Sequence, residues 1–267
     1  MIFANPPLVE LVAELRWVPG ATTATEQATG GLTLQFPLVA PYLEETFSRF
    51  STQAASRGFV ISERLVPAGF LNVPFSVVYR FRKLPTQDQN FLYQIGPGVF
   101  SANALPPYRD WDSFRPIVQD GVEALLASRH ASENREFAAV MLRYIDLFTE
   151  EFTMGLKSFR FLNEILGINL QLPNTLREQA AETDMIQSGL QLQLPLKNGL
   201  AMALTLQDGG IVAGKTGILM TTQVVSTQPT RPDLRVIMET LENAHRSIRV
   251  TFLGLTERLT AQMQPLQ

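Results

Sequence analysis

The chain has 267 residues, 45% apolar and 18% charged, with a net charge of −3 and a pI near 5.5. That composition supports a sizeable core, and the acidic balance offers no global positive field for nucleic acid or anionic lipid. With no cysteine, disulfides, thiolate metal sites and cysteine nucleophiles are excluded.

The opening residues lack the basic and apolar regions of a signal peptide. The longest uncharged stretch after the glycine-rich turn, Gly217–Thr230, is too short and too rich in Thr and Gln to span a bilayer. A soluble cytoplasmic protein is expected.

Asn5-Pro6-Pro7 favours an extended entry. Residues 8–18 then alternate, with Leu11, Ala13, Leu15 and Trp17 on one face and Glu10, Val12, Glu14 and Arg16 on the other. That is a half-buried strand. Pro19–Pro37 reads as a loop, and helical spacing from Leu38 and Val39 through Tyr42, Phe47, Phe50 and Ala54 predicts a helix over 38–57, ended by Gly58. Strands are expected at Phe59–Val66, Phe75–Leu84 and Phe91–Ile95, the last extending through Val99–Ala104. Asp112 or Ser113 can cap a helix with Phe114, Ile117, Val118, Val122 and Leu125 on its apolar stripe.

The second half repeats this grammar. Phe137–Phe148 is a strand, Phe159–Leu166 a helical segment ended at Gly167, and Met185–Leu196, Leu200–Gln207 and Ile218–Thr227 are strands. Asn198-Gly199 and Asp208-Gly209 are hairpin signals. An amphipathic helix closes the chain over about Asp233–Met263.

Leu15-Arg16-Trp17-Val18 returns 127 positions later as Leu142-Arg143-Tyr144-Ile145. The chain therefore reads as an internally duplicated α+β protein, with β-α-β-β-β-α halves over 1–133 and 134–267. Antiparallel strands would form one continuous sheet or two facing sheets with helices laid across them, as in helix-grip and TATA-binding-protein architectures.

Gly209-Gly-Ile-Val-Ala-Gly214-Lys215-Thr216 satisfies the phosphate-loop string G-x-x-x-x-G-K-[ST]. A phosphate loop needs a helix directly after it, whereas Gly217–Val225 has a strand pattern; a glycine-rich hairpin is expected. His130 and His245 have no Ser or Asp constellation beside them in sequence, so partly buried, satisfied histidines are expected. Asp110-Trp111-Asp112 could be a carboxylate pair for a metal, but its position before a helix favours capping. No catalytic, cofactor-binding or metal-binding set is expected.

Arg143 shares its strand face with Met141, Ile145 and Leu147, so it needs a partner or a cleft. Arg16 shares its face with Glu10 and Glu14. A structural ion pair tying sheet to helix is one reading, and an anion or partner contact by Arg16 and Arg143 the other. Arg80 and Arg82 alternate with Tyr79 and Phe81, a pattern used by single-stranded nucleic-acid platforms and shared by any half-buried strand.

Pro6-Pro7-Leu8-Val9-Glu10, the segment Ile95–Leu105 with Tyr108 and Trp111, Leu142–Ile145 followed by Asp146, and a helix like Leu241–Phe252 together resemble an uncharacterised, sporadically distributed bacterial family. The match spans nearly the whole chain. The resemblance carries no catalytic assignment; patchy distribution implies conflict-associated genes such as phage defence or toxin–antitoxin loci.

The leading expectation is a non-enzymatic binding or scaffold subunit. A straight closing helix of about 30 residues would reach roughly 45 Å, farther than the sheet beneath it. Its end, with Phe252, Leu255, Leu259 and Met263, would then dock on a protein partner or a second copy. Alternatives are a receptor for a small apolar or acidic ligand between sheet and helix, and a single-stranded nucleic-acid module.

Overall fold

The protein is described by a computed structural model over residues 2–19, 42–67, 73–85, 90–107, 110–131, 133, 136–182 and 185–266. The loop expected at Pro19–Pro37 (beyond Pro19 itself), the helix start at Leu38 and Val39, and Tyr108 lie outside these residues.

The elements in chain order are β1 (Ile2–Phe3), β2 (Leu8–Arg16), α1 (Tyr42–Ser56), β3 (Ile61–Arg64), β4 (Tyr79–Arg82), β5 (Phe91–Gly96), β6 (Val99–Ala104), α2 (Trp111–Ser128) and β7 (Ala139–Phe148). There follow α3 (Glu150–Thr153), α4 (Ser158–Arg160) running into a π-helical turn at Phe161–Ile165, α5 (Asn174–Gln179), β8 (Leu190–Pro195), β9 (Leu200–Val212) and β10 (Lys215–Ser226). The chain closes with α6 (Leu234–Leu255), a 3-10 turn at Glu257–Leu259, α7 (Thr260–Met263) and β11 (Pro265–Leu266).

Nine strands form one continuous antiparallel sheet in the order β3-β4-β5-β6-β2-β7-β10-β9-β8. Within this sheet the five strands from the first half are contiguous, as are the four from the second, and the two sets meet at β2 and β7. Of the two arrangements open in the sequence, the single sheet is the one adopted. The fold is α+β.

The period-2 patterning decides which face is covered. Leu11, Ala13 and Leu15 on β2 lie opposite Tyr144, Leu142 and Val140 on β7, and this face carries α1, α2 and α6. Phe50 of α1 meets Phe81, Phe100 and Tyr93 at centroid separations of 5.2–6.2 Å, while α6 buries Ile237, Leu241, Ala244 and Ile248. Each fully buried large apolar side chain contributes about 1.5–3 kcal/mol. The resulting core draws residues from both halves.

A second cluster lies under the far end of the sheet. It gathers Phe148, Phe152, Phe161, Leu162, Leu204, Leu206, Ile218 and Met220 with Leu259 and Met263.

Strand ends shift by several residues, as where β4 starts at Tyr79 and not at Phe75, and three departures from the sequence reading change the architecture. Val99–Ala104 does not prolong β5; Pro97-Gly98 turns the chain, and β6 runs back along β5 from Gly96↔Val99 to Phe91↔Ala104. Gly98, at φ 73°, supplies the left-handed conformation, and a Cβ there would meet the Trp17 carbonyl at 2.4 Å. Asp208-Gly209 is not a hairpin tip. It lies inside β9, at a bulge where the pairing shifts between Gly210↔Gly217 and Gln207↔Leu219; the tip is Ala213-Gly214, both at positive φ.

The closing helix is also shorter than expected. α6 has 22 residues, about 33 Å at 1.5 Å per residue. It stops at the fully buried Thr256, whose hydroxyl donates to the Phe252 carbonyl. The chain then folds back, and β11 pairs with β1.

Candidate functional site

A cleft of about 460 Å³ opens where β7, α6, the start of α2 and the N-terminal segment meet. Its size is typical of small-molecule sites. Ile2, Phe3, Pro6, Leu8, Ile248, Phe252 and Leu253 supply apolar walls, and polar groups converge between them.

The sheet supplies Tyr144 and Asp146. Both lie on the helix-facing side of β7, two residues apart along the pleat. At the edge of β2 the register with β7 shifts between Leu8↔Asp146 and Glu10↔Ile145, so Val9 is a bulge that brings Leu8 beside the carboxyl. Bulges re-aim side chains in this way near functional sites.

Asp146 is 2% exposed, and its Oδ2 has no hydrogen-bond partner among the described residues. Burial disfavours the charged form and pushes its pKa up to about 8. The carboxyl is therefore protonated at neutral pH.

Helix α6 supplies Glu242, His245, Arg246 and Arg249 at helical spacing. His245 Nδ1 and the Tyr144 hydroxyl are 2.8 Å apart, and the imidazole stacks on Trp111 at 5.0 Å. Burial is the largest influence on His245 and holds its pKa below the ordinary value, so the ring is neutral near pH 7; Glu242 pulls the other way. Trp111 Nε1 donates to Glu242 Oε2 at 2.7 Å, with Arg115 at 3.7 Å from the same oxygen.

Asp110 and Asp112 flank Trp111 at the mouth. Asp110, and not Asp112 or Ser113, is the N-cap of α2 and accepts from the Ser113 amide at 2.8 Å, so the Asp110-Trp111-Asp112 string caps the helix through its first residue.

Sequence reasoning missed this cleft as a unit. It named Trp111, Tyr144, Asp146 and His245 separately, and the segments bearing them are brought together only by the fold. One signal was present: Asp146 alternates with Leu142, Tyr144 and Phe148, so it occupies a core position on an apolar strand.

The residues singled out in sequence lie elsewhere. Arg16 pairs with Glu14 on its own strand and lies 5.8 Å over the Phe75 ring. Arg143 Nη2 is 3.8 Å from Glu14 Oε2, and its Nε is buried without a partner among the described residues. Its ion pair thus joins adjacent strands, on the sheet face away from α6, and does not tie sheet to helix. Arg80 reaches Glu63 at 3.5 Å; Arg82, two residues along the same face, lies opposite Ile61 and Leu92.

The expected interface at the chain's end is largely internal. Leu259 and Met263 are fully buried in the second cluster, and Phe252 and Leu255 pack against it. The break at Thr256 turns the last residues inward, so they present no projecting docking surface.

The string Gly209–Thr216 spans the β9–β10 hairpin, and Thr216 is followed by extended backbone through Ser226. It lacks the helix whose N-terminal amides would cradle a phosphate. Among the described residues, no helix is long and apolar enough to cross a membrane.

No family model, no curated protein and no solved structure matches the chain.

Proposed function

We propose that the protein is a small-molecule receptor whose ligand lies in the cleft between β7 and α6. The observation that carries this reading is Asp146: a carboxyl 2% exposed, with an unpartnered oxygen, among the lining of a cleft of about 460 Å³. Leaving a buried polar atom unsatisfied costs about 1–3 kcal/mol, and a fold that retains one beside a cleft has a use for it when the cleft is filled. Apolar walls from Leu8, Ile248 and Phe252 would hold the ligand's body. Native mass spectrometry of freshly purified protein should detect a bound small molecule that is lost in Leu253→Trp, a substitution that fills the cleft. Protein free of ligand, with no melting-temperature shift across a diverse compound library, would overturn this reading.

A second reading, a binding or scaffold subunit, is favoured by the edge strand β8. Its sequence Leu190-Gln-Leu-Gln-Leu-Pro195 carries no charge, and Leu192 and Leu194 are 38% and 42% exposed beside Val250 at 73%. Uncharged, apolar edges are prone to pair with further strands. We propose a second copy as the partner. Light scattering should report a dimer that Leu194→Lys dissociates; a monomer at all concentrations would remove this reading.

A further inference from the structure

We propose that the ligand is a small organic cation, a protonated amine on an apolar or aromatic body, with Asp146 as its counter-ion. This rests on the cleft being a ligand site, and it names the chemistry that site would select.

Charged groups of both signs surround the cleft. The start of α2 brings Asp110 and Asp112, α6 brings Glu242, and β7 and α6 bring the neutral Tyr144 and His245. The N-terminal segment adds the uncharged Ile2, Phe3, Pro6 and Leu8. The opposing cations are Arg115, 3.7 Å from Glu242 Oε2, and the exposed Arg246 and Arg249, with Arg246 already held by Asn243 Oδ1 at 2.5 Å. Solvent-exposed charges of either sign, Asp112 included, are heavily screened, so the buried Asp146 carboxyl, 2% exposed, decides which charge the inner part of the cleft accepts. Trp111 and His245, stacked with centroids 5.0 Å apart, line one wall.

Asp146 itself discriminates between ligand classes. An anion beside Asp146 would gain at most one hydrogen bond from a neutral carboxyl, since the lining arginines Arg246 and Arg249 are exposed. A neutral ligand would leave the acid protonated. Only a cation gives the buried carboxylate a partner, converting an isolated buried acid into an ion pair. The exchange is balanced: the ammonium keeps its proton, and the carboxyl releases one proton to solvent. Because the free acid titrates near pH 8, binding at pH 7 should release about one proton.

Isothermal titration with tryptamine, indole-3-ethanol and indole-3-acetate at pH 7, in two buffers of different ionisation enthalpy, tests this. Tryptamine should bind at least tenfold more tightly than the other two and release about one proton, and its affinity should rise about tenfold from pH 6 to pH 7. Asp146→Asn, nearly isosteric, should abolish both the preference and the proton release while leaving indole-3-ethanol binding unchanged. Equal or tighter binding of the alcohol or acetate, absence of proton release, or no binding of all three would overturn the assignment to cations. The cleft reading would survive if whatever binds is displaced by Leu253→Trp, and would fail if tryptamine bound that variant as well as wild type.

Discussion

The Tyr144 hydroxyl and His245 Nδ1, 101 positions apart in sequence, lie 2.8 Å from each other. The contact fastens β7 to α6 beside Asp146, and Trp111 covers the other side of the imidazole. Because burial is the largest influence on this ring, folding should keep it neutral to lower pH than in the unfolded chain. The sign follows directly: the folded state binds fewer protons than the unfolded state just below pH 6.5, so His245 costs stability as pH falls through that range. An NMR titration of the His245 ring should give a midpoint below 6.5, with His130 as an internal comparison. A midpoint above 6.5 would contradict this account.

Asp146 acts in the opposite direction. Its pKa rises from about 4 in the unfolded chain to about 8 in the fold, so between those values the folded state holds the extra proton. Its contribution therefore makes stability decline as pH rises from 4 to 8, by about 1 kcal/mol per unit, and level off above 8. Glu164, held down by its hydrogen bond from Arg160, slopes the opposite way, so the informative quantity is the difference between wild type and Asp146→Asn. Relative to wild type, the variant should gain stability across that window, measured by urea unfolding at several pH values. A constant difference would mean the acid is not desolvated.

The inward turn after Thr256 separates two kinds of apolar residue nine positions apart. Leu259 is fully buried, whereas Val250 is 73% exposed. Leu259→Ala should cost about 2–5 kcal/mol in denaturant unfolding, and Val250→Ser should change stability by less than about 0.5 kcal/mol. Equal small effects would restore the projecting helix end that the amphipathic pattern suggested.

Lys215 is exposed at the start of β10, on a hairpin with Gly214 at φ 77°. ATP with Mg²⁺ should leave the melting temperature unchanged in wild type and in Lys215→Ala alike. A nucleotide-dependent shift present only in wild type would reinstate the phosphate-loop reading.

Most of the sheet was legible because its strands are amphipathic. Leu11, Ala13 and Leu15 declare a buried face at period two, and Ile237, Leu241, Ala244 and Ile248 do so at helical period. Where local patterning was overridden, a tertiary contact did it. The stripe running past Leu255 implied one long helix, yet Leu259 and Met263 gain more by joining Phe148 and Phe161 in a separate cluster. Asp208-Gly209 has turn chemistry, but a bulge accommodates it without reversing the chain. The candidate site was illegible for a different reason: Asp110, Tyr144, Asp146 and Glu242 occupy three elements, and no spacing rule links them. The arginines drew notice as charges on strands, and the fold pairs Arg16 and Arg143 with Glu14 on the face away from the cleft.

The pairing of β1 with β11 has a practical corollary. Ile2 and Phe3 border the cleft and lie alongside Pro265 and Leu266, so the two ends of this stretch emerge together at the entrance. Any tether joined to either end would hang beside the opening and compete with whatever enters.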